Sequence, residues 1–366
     1  MRRFFQTLLG LSDQPRRSPS PKRRTQLGVE QLDGRLLPSA TGSISSITDA
    51  YGQTTCFTVG LDRGIYASLN NYGYTKLSGG AGSFYEVSAG MSADGHAVCW
   101  AEASNGDLWW FSGYTYDHSS PYSSQPVYGE DVGNPGNGIY QLSAGRHDDC
   151  FVVANNSVWV YSTAGPFWQG IVGMAPGYAP RQISAGVDSF GHDQVYVVTQ
   201  PGYVLECYQN GSFNWAFNWL QNQRGQYIQA TQLSASISSN NDYSNTDFFY
   251  VNKADGTLHD YYNGYDAYLG GAGQIQNICA ATNANGDYCV VTVNDYWHYN
   301  EVYAVGFWTG WTDLQNQATE VAAAGDGMIF TVEPNLQIWG HDPNNDWAHA
   351  WGGIATPWHY TGGISG

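Results

Sequence analysis

The sequence predicts an all-β fold, a seven-bladed β-propeller of four-stranded antiparallel blades. Three observations predict it. A phrase of one apolar and two small residues returns seven times, and an apolar second phrase follows each copy at a near-constant offset. The composition, with 45 Gly, 27 Tyr and 14 Trp in 366 residues and only 12% charged residues, is that of short strands joined by tight turns.

The first strand of each copy is the recurring phrase. It reads Ile44-Ser45-Ser46, Val87-Ser88-Ala89, Leu142-Ser143-Ala144 and Ile183-Ser184-Ala185. It continues as Leu233-Ser234-Ala235, Ile278-Cys279-Ala280 and Val321-Ala322-Ala323, at spacings of 43, 55, 41, 50, 45 and 43 residues. A period near 45 residues marks a repeat architecture, and four strands per repeat mark a radial one. Slim side chains suit the innermost strand, where copies crowd around a common axis.

The second strand is apolar and aromatic: Cys56-Phe57-Thr58-Val59, Cys99-Trp100, Cys150-Phe151-Val152-Val153, Val195-Tyr196-Val197-Val198, Phe248-Phe249-Tyr250-Val251, Val290-Val291-Thr292-Val293 and Ile329-Phe330-Thr331-Val332. Its second residue lies 13, 13, 9, 13, 16, 13 and 9 residues beyond the anchor. A turn signal follows each one (Asp62-Arg63-Gly64, Asn105-Gly106, Pro201-Gly202 and Asp255-Gly256 among them), as a tight hairpin requires. The third strand pairs an apolar with an aromatic residue in most copies, as in Ile65-Tyr66, Leu108-Trp109 and Ile338-Trp339. A weaker fourth strand precedes each new anchor and, for the last copy, lies in Pro357–Gly363. Seven contiguous blades therefore start near residues 44, 87, 142, 183, 233, 278 and 321, giving a propeller over 41–366 behind a basic leader over 1–40.

These phrases resemble those of tectonin-type and fungal fucose-lectin-type seven-bladed propellers. Leu258-His259-Asp260-Tyr261-Tyr262-Asn263-Gly264 is close to the third-strand phrase of the lectins, which implies His259 as a ligand contact. Thr319–Val332 is similar instead to the regulator-of-chromosome-condensation repeat, with Met328 where that repeat usually has His. The likeness is one of pattern over residues 44–361. It implies the fold strongly and the activity weakly, because propellers host many activities.

Charge divides the chain. Residues 1–40 hold eight of the 14 Lys and Arg and three of the 31 Asp and Glu, so the leader carries a net +5 and the remainder −22. A body this acidic repels phosphate backbones and anionic lipid surfaces, which argues against nucleic acid as its partner. No apolar run reaches the roughly 18–20 residues that span a bilayer. Phe4–Leu11 behind Arg2-Arg3 is short for a secretion signal and contains Gln6. Val29–Ser39 resembles the leader that opens many exported planctomycete proteins, with Asp33 in place of its usual Glu and Gly34 in place of its usual acid. That resemblance implies an extracellular or surface location.

Strand direction alternates, so the connections between strands 1 and 2 and between strands 3 and 4 share one face. Length varies in these connections, whereas the 2–3 turns are uniformly tight. Binding loops tend to be the variable ones on a rigid scaffold, so the 1–2/3–4 face is the expected binding face. Its candidate ligand contacts are Tyr116, Trp168, Trp215, Trp219, Trp308, Trp347 and Trp351, with Tyr114 beside them and His259 added by the resemblance. Sugars stack their C–H faces on such rings, while Asp, Asn and Tyr hold their hydroxyls. The bland alternative is that each ring packs between blades.

Catalytic motifs are missing: there is no G-x-S-x-G elbow, no H-E-x-x-H and no repeated sialidase-type box. A carboxylate pair drawn from distant blades stays open. The loops with Asp242/Asp247, Asp342/Asp346 and Asn283/Asn285/Asp287 lack full calcium-loop spacing and read as solvated, so neither metal nor cofactor is expected. Cys56, Cys99 and Cys150 repeat one position in successive blades, too far apart to bridge, and read as small buried hydrophobes. Cys279 and Cys289 are the one pair considered for a disulfide. The expected function is an exported, non-catalytic propeller that recognises glycans. The alternatives are a protein-interaction scaffold that binds cell-surface proteins and, behind it, a carbohydrate-active hydrolase or lyase. Oligomeric state is open.

Overall fold

In the computed structural model the chain separates into two units, Met1–Arg35 and Leu36–Gly366. The structure describes residues 44–362 apart from 61, 70–74, 79–81, 112–128, 137, 166, 176, 188–190, 211–213, 236–247, 263, 272–273, 284–285, 295–300, 307–309, 333–337 and 342–358. In parts of the last two blades and at Thr75 only the backbone is described. The leader-like segments therefore lie outside the described residues.

The described residues form seven four-stranded sheets, each antiparallel and each taken from contiguous sequence, with strands paired in chain order. Together they make the β-propeller that the repeats predict. The first strands are Ile44–Thr48, Phe84–Met91, Gln141–Ala144, Pro180–Val187, Ala230–Ser234, Gln274–Asn283 and Glu320–Ala323. Each packs against the next, and that of the seventh sheet packs against that of the first, so the ring closes. The last sheet is completed by His359–Gly362 from its own blade.

Blades pack through the two faces of their second strands. In Asp149–Ala154, Phe151 and Val153 point into the seam with blade four, whereas Cys150 and Val152 point into the seam with blade two. A strand buried on both faces reads as a continuous apolar run instead of an alternating one. Among the described residues, seven clusters of buried side chains occupy the seven seams, and the cluster that joins Phe330 and Met328 to Ile44 and Cys56 closes the ring.

The small residues of the first strand do more than fit. This strand is the inner edge of its sheet, so its outward N–H groups lack a ladder partner. The middle residue of the phrase supplies one across the seam. Ser45 Oγ accepts from Ala89 N (3.0 Å), Ser88 Oγ from Ala144 N (2.9 Å) and Ser143 Oγ from Ala185 N (2.8 Å). Ser184 Oγ accepts from Ala235 N (3.0 Å), Ser234 Oγ from Ala280 N (2.9 Å) and Cys279 Sγ from Ala323 N (3.3 Å). In the seventh blade Ala322 has no acceptor, and the closing seam uses other groups. Asp326 N donates to Thr48 Oγ1 (3.0 Å), and Thr54 Oγ1 donates to Asp326 Oδ2 (2.6 Å). One residue before the anchor, Gln141 Oε1 accepts from Ile183 N (3.1 Å) and Gln182 Oε1 from Leu233 N (3.1 Å), forming a second partial ring. Blades approach so closely here that a Cβ on Gly90 would sit 2.7 Å from both Ala144 Cβ and Gly145 O.

The cysteines at positions 56, 99, 150, 207, 279 and 289 are free and buried. The Cys279–Cys289 bridge considered above is therefore not formed. Cys279 faces Val290 in the ladder while Cys289 faces Ala280, and the Cys279 thiol is engaged with the next blade.

Candidate functional site

Two concavities among the described residues bear on function. The central channel, with about 560 Å³ of open space, is lined by the slim residues of all seven first strands. Most of its hydroxyls already accept a bond across a seam, which leaves its wall with little to offer a ligand.

The other is a cleft between blades three and four, open to solvent. Its lining comes from strand ends on the 1–2/3–4 face. Asp149 begins the second strand of blade three, Ser162 ends the third strand Ser157–Ser162, and Phe167 begins the fourth strand Phe167–Gly173, which also supplies Gln169. Gln209 ends the third strand of blade four, Val204–Gln209, and Trp215 begins its fourth, Trp215–Trp219. Two aromatic rings and several hydroxyl, amide and carboxyl groups thus meet in one cleft. This is the composition of a site for a small polar ligand with apolar faces.

Local structure sets each ring. Trp215 packs edge-on against buried Phe151 at 5.6 Å and is half-buried, while Phe167 is 51% exposed. Gly165 precedes Phe167 because any side chain would collide: a Cβ there would lie 2.8 Å from Phe167 Cε1. The Gly therefore lets the ring fold back over the loop that carries it.

Behind the cleft's one lining carboxyl, Asp149, a second carboxyl lies across the seam. Asp149 is buried, and Asp193, which begins the second strand of blade four, is 3% exposed. Burial, together with the negative charge of Asp193, pushes Asp149 up to about 7. Burial also raises Asp193. Asp193 Oδ1 accepts from Arg146 N (2.8 Å), and Asp193 Oδ2 lies 3.6 Å from His147 Nδ1. Asp193 in turn raises His147 through their hydrogen bond. Asp149 Oδ1 is buried with no hydrogen-bond partner. A water or ligand hydroxyl at the cleft floor would satisfy it.

The sequence-predicted contacts are distributed differently. Trp215 is in the cleft. Trp168 lies inside the fourth strand of blade three, where its Nε1 donates to Val132 O of blade two (3.3 Å) and its ring meets Tyr161 at 5.2 Å. Trp219 ends its strand at the opposite face, beside Tyr178 (5.7 Å) and Tyr203 (6.2 Å). Both are strand residues: Trp168, second in its strand, lies at the 1–2/3–4 end expected for it, whereas Trp219 lies at the opposite end of its strand, away from that face. His259 is buried inside blade five. Its Nδ1 pairs with Asp266 Oδ1 (2.7 Å), and its Nε2 with Thr257 Oγ1 (3.0 Å). Burial opposes ionisation of Asp266, but its hydrogen bonds to His259 and Tyr250 leave it below the ordinary carboxylate value. Tyr116, Trp308, Trp347 and Trp351, like Tyr114 and the Asp242/Asp247 and Asp342/Asp346 loops, lie outside the described residues. Sequence reasoning missed Phe167, Asp149, Gln169 and Gln209, because only a seam between two blades brings them together.

No group of His, Cys, Asp and Glu among the described residues is arranged to hold a metal ion. No described helix is long and apolar enough to cross a membrane.

The fold and cleft define a class: a β-propeller with a small open cleft between adjacent blades. Comparison with protein-family models and with curated proteins finds no match to the sequence. Among solved structures, the chain is similar to human WBSCR16 (13% identity over 75% of this chain and 79% of that one, TM-score 0.52). It is similar to yeast RCC1 (Prp20) in its structure with Kap60 (11% identity, 90% and 86% covered, TM-score 0.51). A catalytically inactive virginiamycin B lyase from Staphylococcus aureus with quinupristin is similar at 11% identity (83% and 96% covered, TM-score 0.52). At such identities the likeness establishes the propeller fold alone.

Proposed function

We propose that the protein is an exported binding propeller and that the cleft between blades three and four recognises a carbohydrate. The observation that carries this reading is the meeting of Trp215 and Phe167 with Asp149, Ser162, Gln169 and Gln209 in one open cleft on the 1–2/3–4 face. A pyranose has an apolar C–H face for the rings and hydroxyls for the amides and carboxyl. Export rests on the leader-like Val29–Ser39 segment.

A glycan array followed by calorimetry on the best ligand tests the binding. Trp215→Ala and Phe167→Ala are each expected to weaken it at least about tenfold, the loss of roughly 1.4 kcal/mol of stacking. An empty array, or a ligand whose affinity ignores both substitutions, overturns the reading in favour of a protein-interaction scaffold. The structural relative bound to Kap60 shows that such a use is compatible with the fold.

A further inference from the structure

The opposite face, where the 2–3 turns and the blade-to-blade connections lie, carries a second assembly of rings. Tyr178 comes from the connection between blades three and four, Tyr203 from the 2–3 turn of blade four, and Tyr227 from the connection between blades four and five. Trp219 ends the fourth strand of blade four between them. Tyr178, Trp219 and Tyr203 close a triangle, at 5.7 Å, 6.2 Å and, between the two tyrosines, 6.3 Å, and Tyr227 packs edge-on against Tyr203 at 6.0 Å. Tyr227 is 53% exposed and Tyr178 is 39% exposed, so the cluster presents both rings to solvent.

Charge distinguishes this face. Six Lys and Arg lie beyond residue 40 of a chain whose acids number 31. Arg63, Lys76, Arg181, Arg224 and Lys253 fall at strand ends, turns or connections of this face, and Arg146 alone falls on the other. Three of the five flank the rings. Arg224 is exposed in the turn before Tyr227, held by Arg224 N and Gln226 N donating to Asn222 Oδ1, each at 3.0 Å. Lys253 Nζ donates to Pro201 O, two residues from Tyr203, and Lys253 N donates to Gln229 O (3.0 Å). Arg181 opens the strand that follows Tyr178. Segments 174–180 and 200–203 hold no acid, nor does 220–229, and Asp255 is the nearest in sequence, two residues past Lys253. A local excess of cations beside clustered aromatic rings, on a body with a net charge of −22, is complementary to a ligand that is itself anionic and has apolar faces.

We propose that this face binds an acidic polysaccharide of the uronate class, sugar rings lying along Tyr178, Trp219, Tyr203 and Tyr227 and carboxylates meeting Arg224 and Lys253. Because the cleft lies on the other face, the two sites can be filled together, and one molecule can join two glycans.

Affinity electrophoresis in gels containing polygalacturonate, with dextran as the neutral control, tests this site on the full chain. Retardation by polygalacturonate alone is expected, weakening as salt rises. Tyr227→Ala and the double variant Arg224→Gln/Lys253→Gln are each expected to lower affinity at least fivefold with an unchanged melting temperature, as exposed side chains allow. Absence of retardation by polygalacturonate overturns the proposal. So does equal retardation of the folded variants. Loss of retardation in Trp215→Ala with none in Tyr227→Ala also overturns it, and places the polymer in the cleft instead, so the two sites fail separately.

Discussion

Asp149 shows how a single residue couples a seam to solution conditions. Its folded carboxyl is raised from about 4 to about 7 by burial beside Asp193. A group raised on folding contributes stability that is complete below its unfolded pKa and lost as pH climbs through its folded one. Asp193 and His147 are raised as well, so their contributions run in the same direction. Stability is therefore expected to fall between about pH 4 and pH 7 through Asp149, with Asp193 adding to the fall above about pH 4 and His147 only above its ordinary value of 6.5. Asp149→Asn should flatten that slope and stabilise the protein at pH 8 by more than about 1 kcal/mol, the equivalent of less than one pKa unit. Melting temperature across pH 4–8 reads this directly, and a variant with an unchanged slope would contradict it. Nothing in the sequence singles out Asp149. Its neighbour Asp193 is 44 positions away along the chain, and no spacing rule links them.

At the scale of the strand, the recurring Ser is a connector. Each one accepts an N–H from the edge of the next blade, so removing it leaves that donor without its partner. Ser184→Ala should strand Ala235 N and cost about 1 kcal/mol in chemical denaturation. Ser184→Cys should recover part of the loss, because Cys279 fills the same place with a sulfur acceptor. A neutral Ser184→Ala would reduce the phrase to a steric requirement. Its period and its slimness were legible in the sequence. Its hydrogen bond was not, because donor and acceptor belong to different repeats. The apolar second strand was legible for a simple reason: both of its faces are buried, so every position carries the signal.

For the whole molecule the decisive contact is the one that joins the two ends of the repeat. Asp326 accepts from Thr54 and donates its N–H to Thr48, bridging blades seven and one where the serine relay lapses at Ala322. Asp326→Ala should cost about 1–3 kcal/mol. It should also raise amide exchange in both blades one and seven while leaving blade four protected, because the ring is fastened at this seam. Exchange confined to blade seven would show that closure does not depend on the bridge.

The sequence by itself determined the all-β class, the repeat of four strands and the buried second strand. These follow from chemistry within one copy, where side-chain size and period act over a few residues. Only the tertiary structure decided which aromatic rings line a cleft and which seal a seam. It brought Asp149 to Asp193, set Trp215 beside Phe167, and carried Trp219 to the far face. Exposure of a ring depends on what the next blade places against it, and that is a property of the closed ring and not of any one copy.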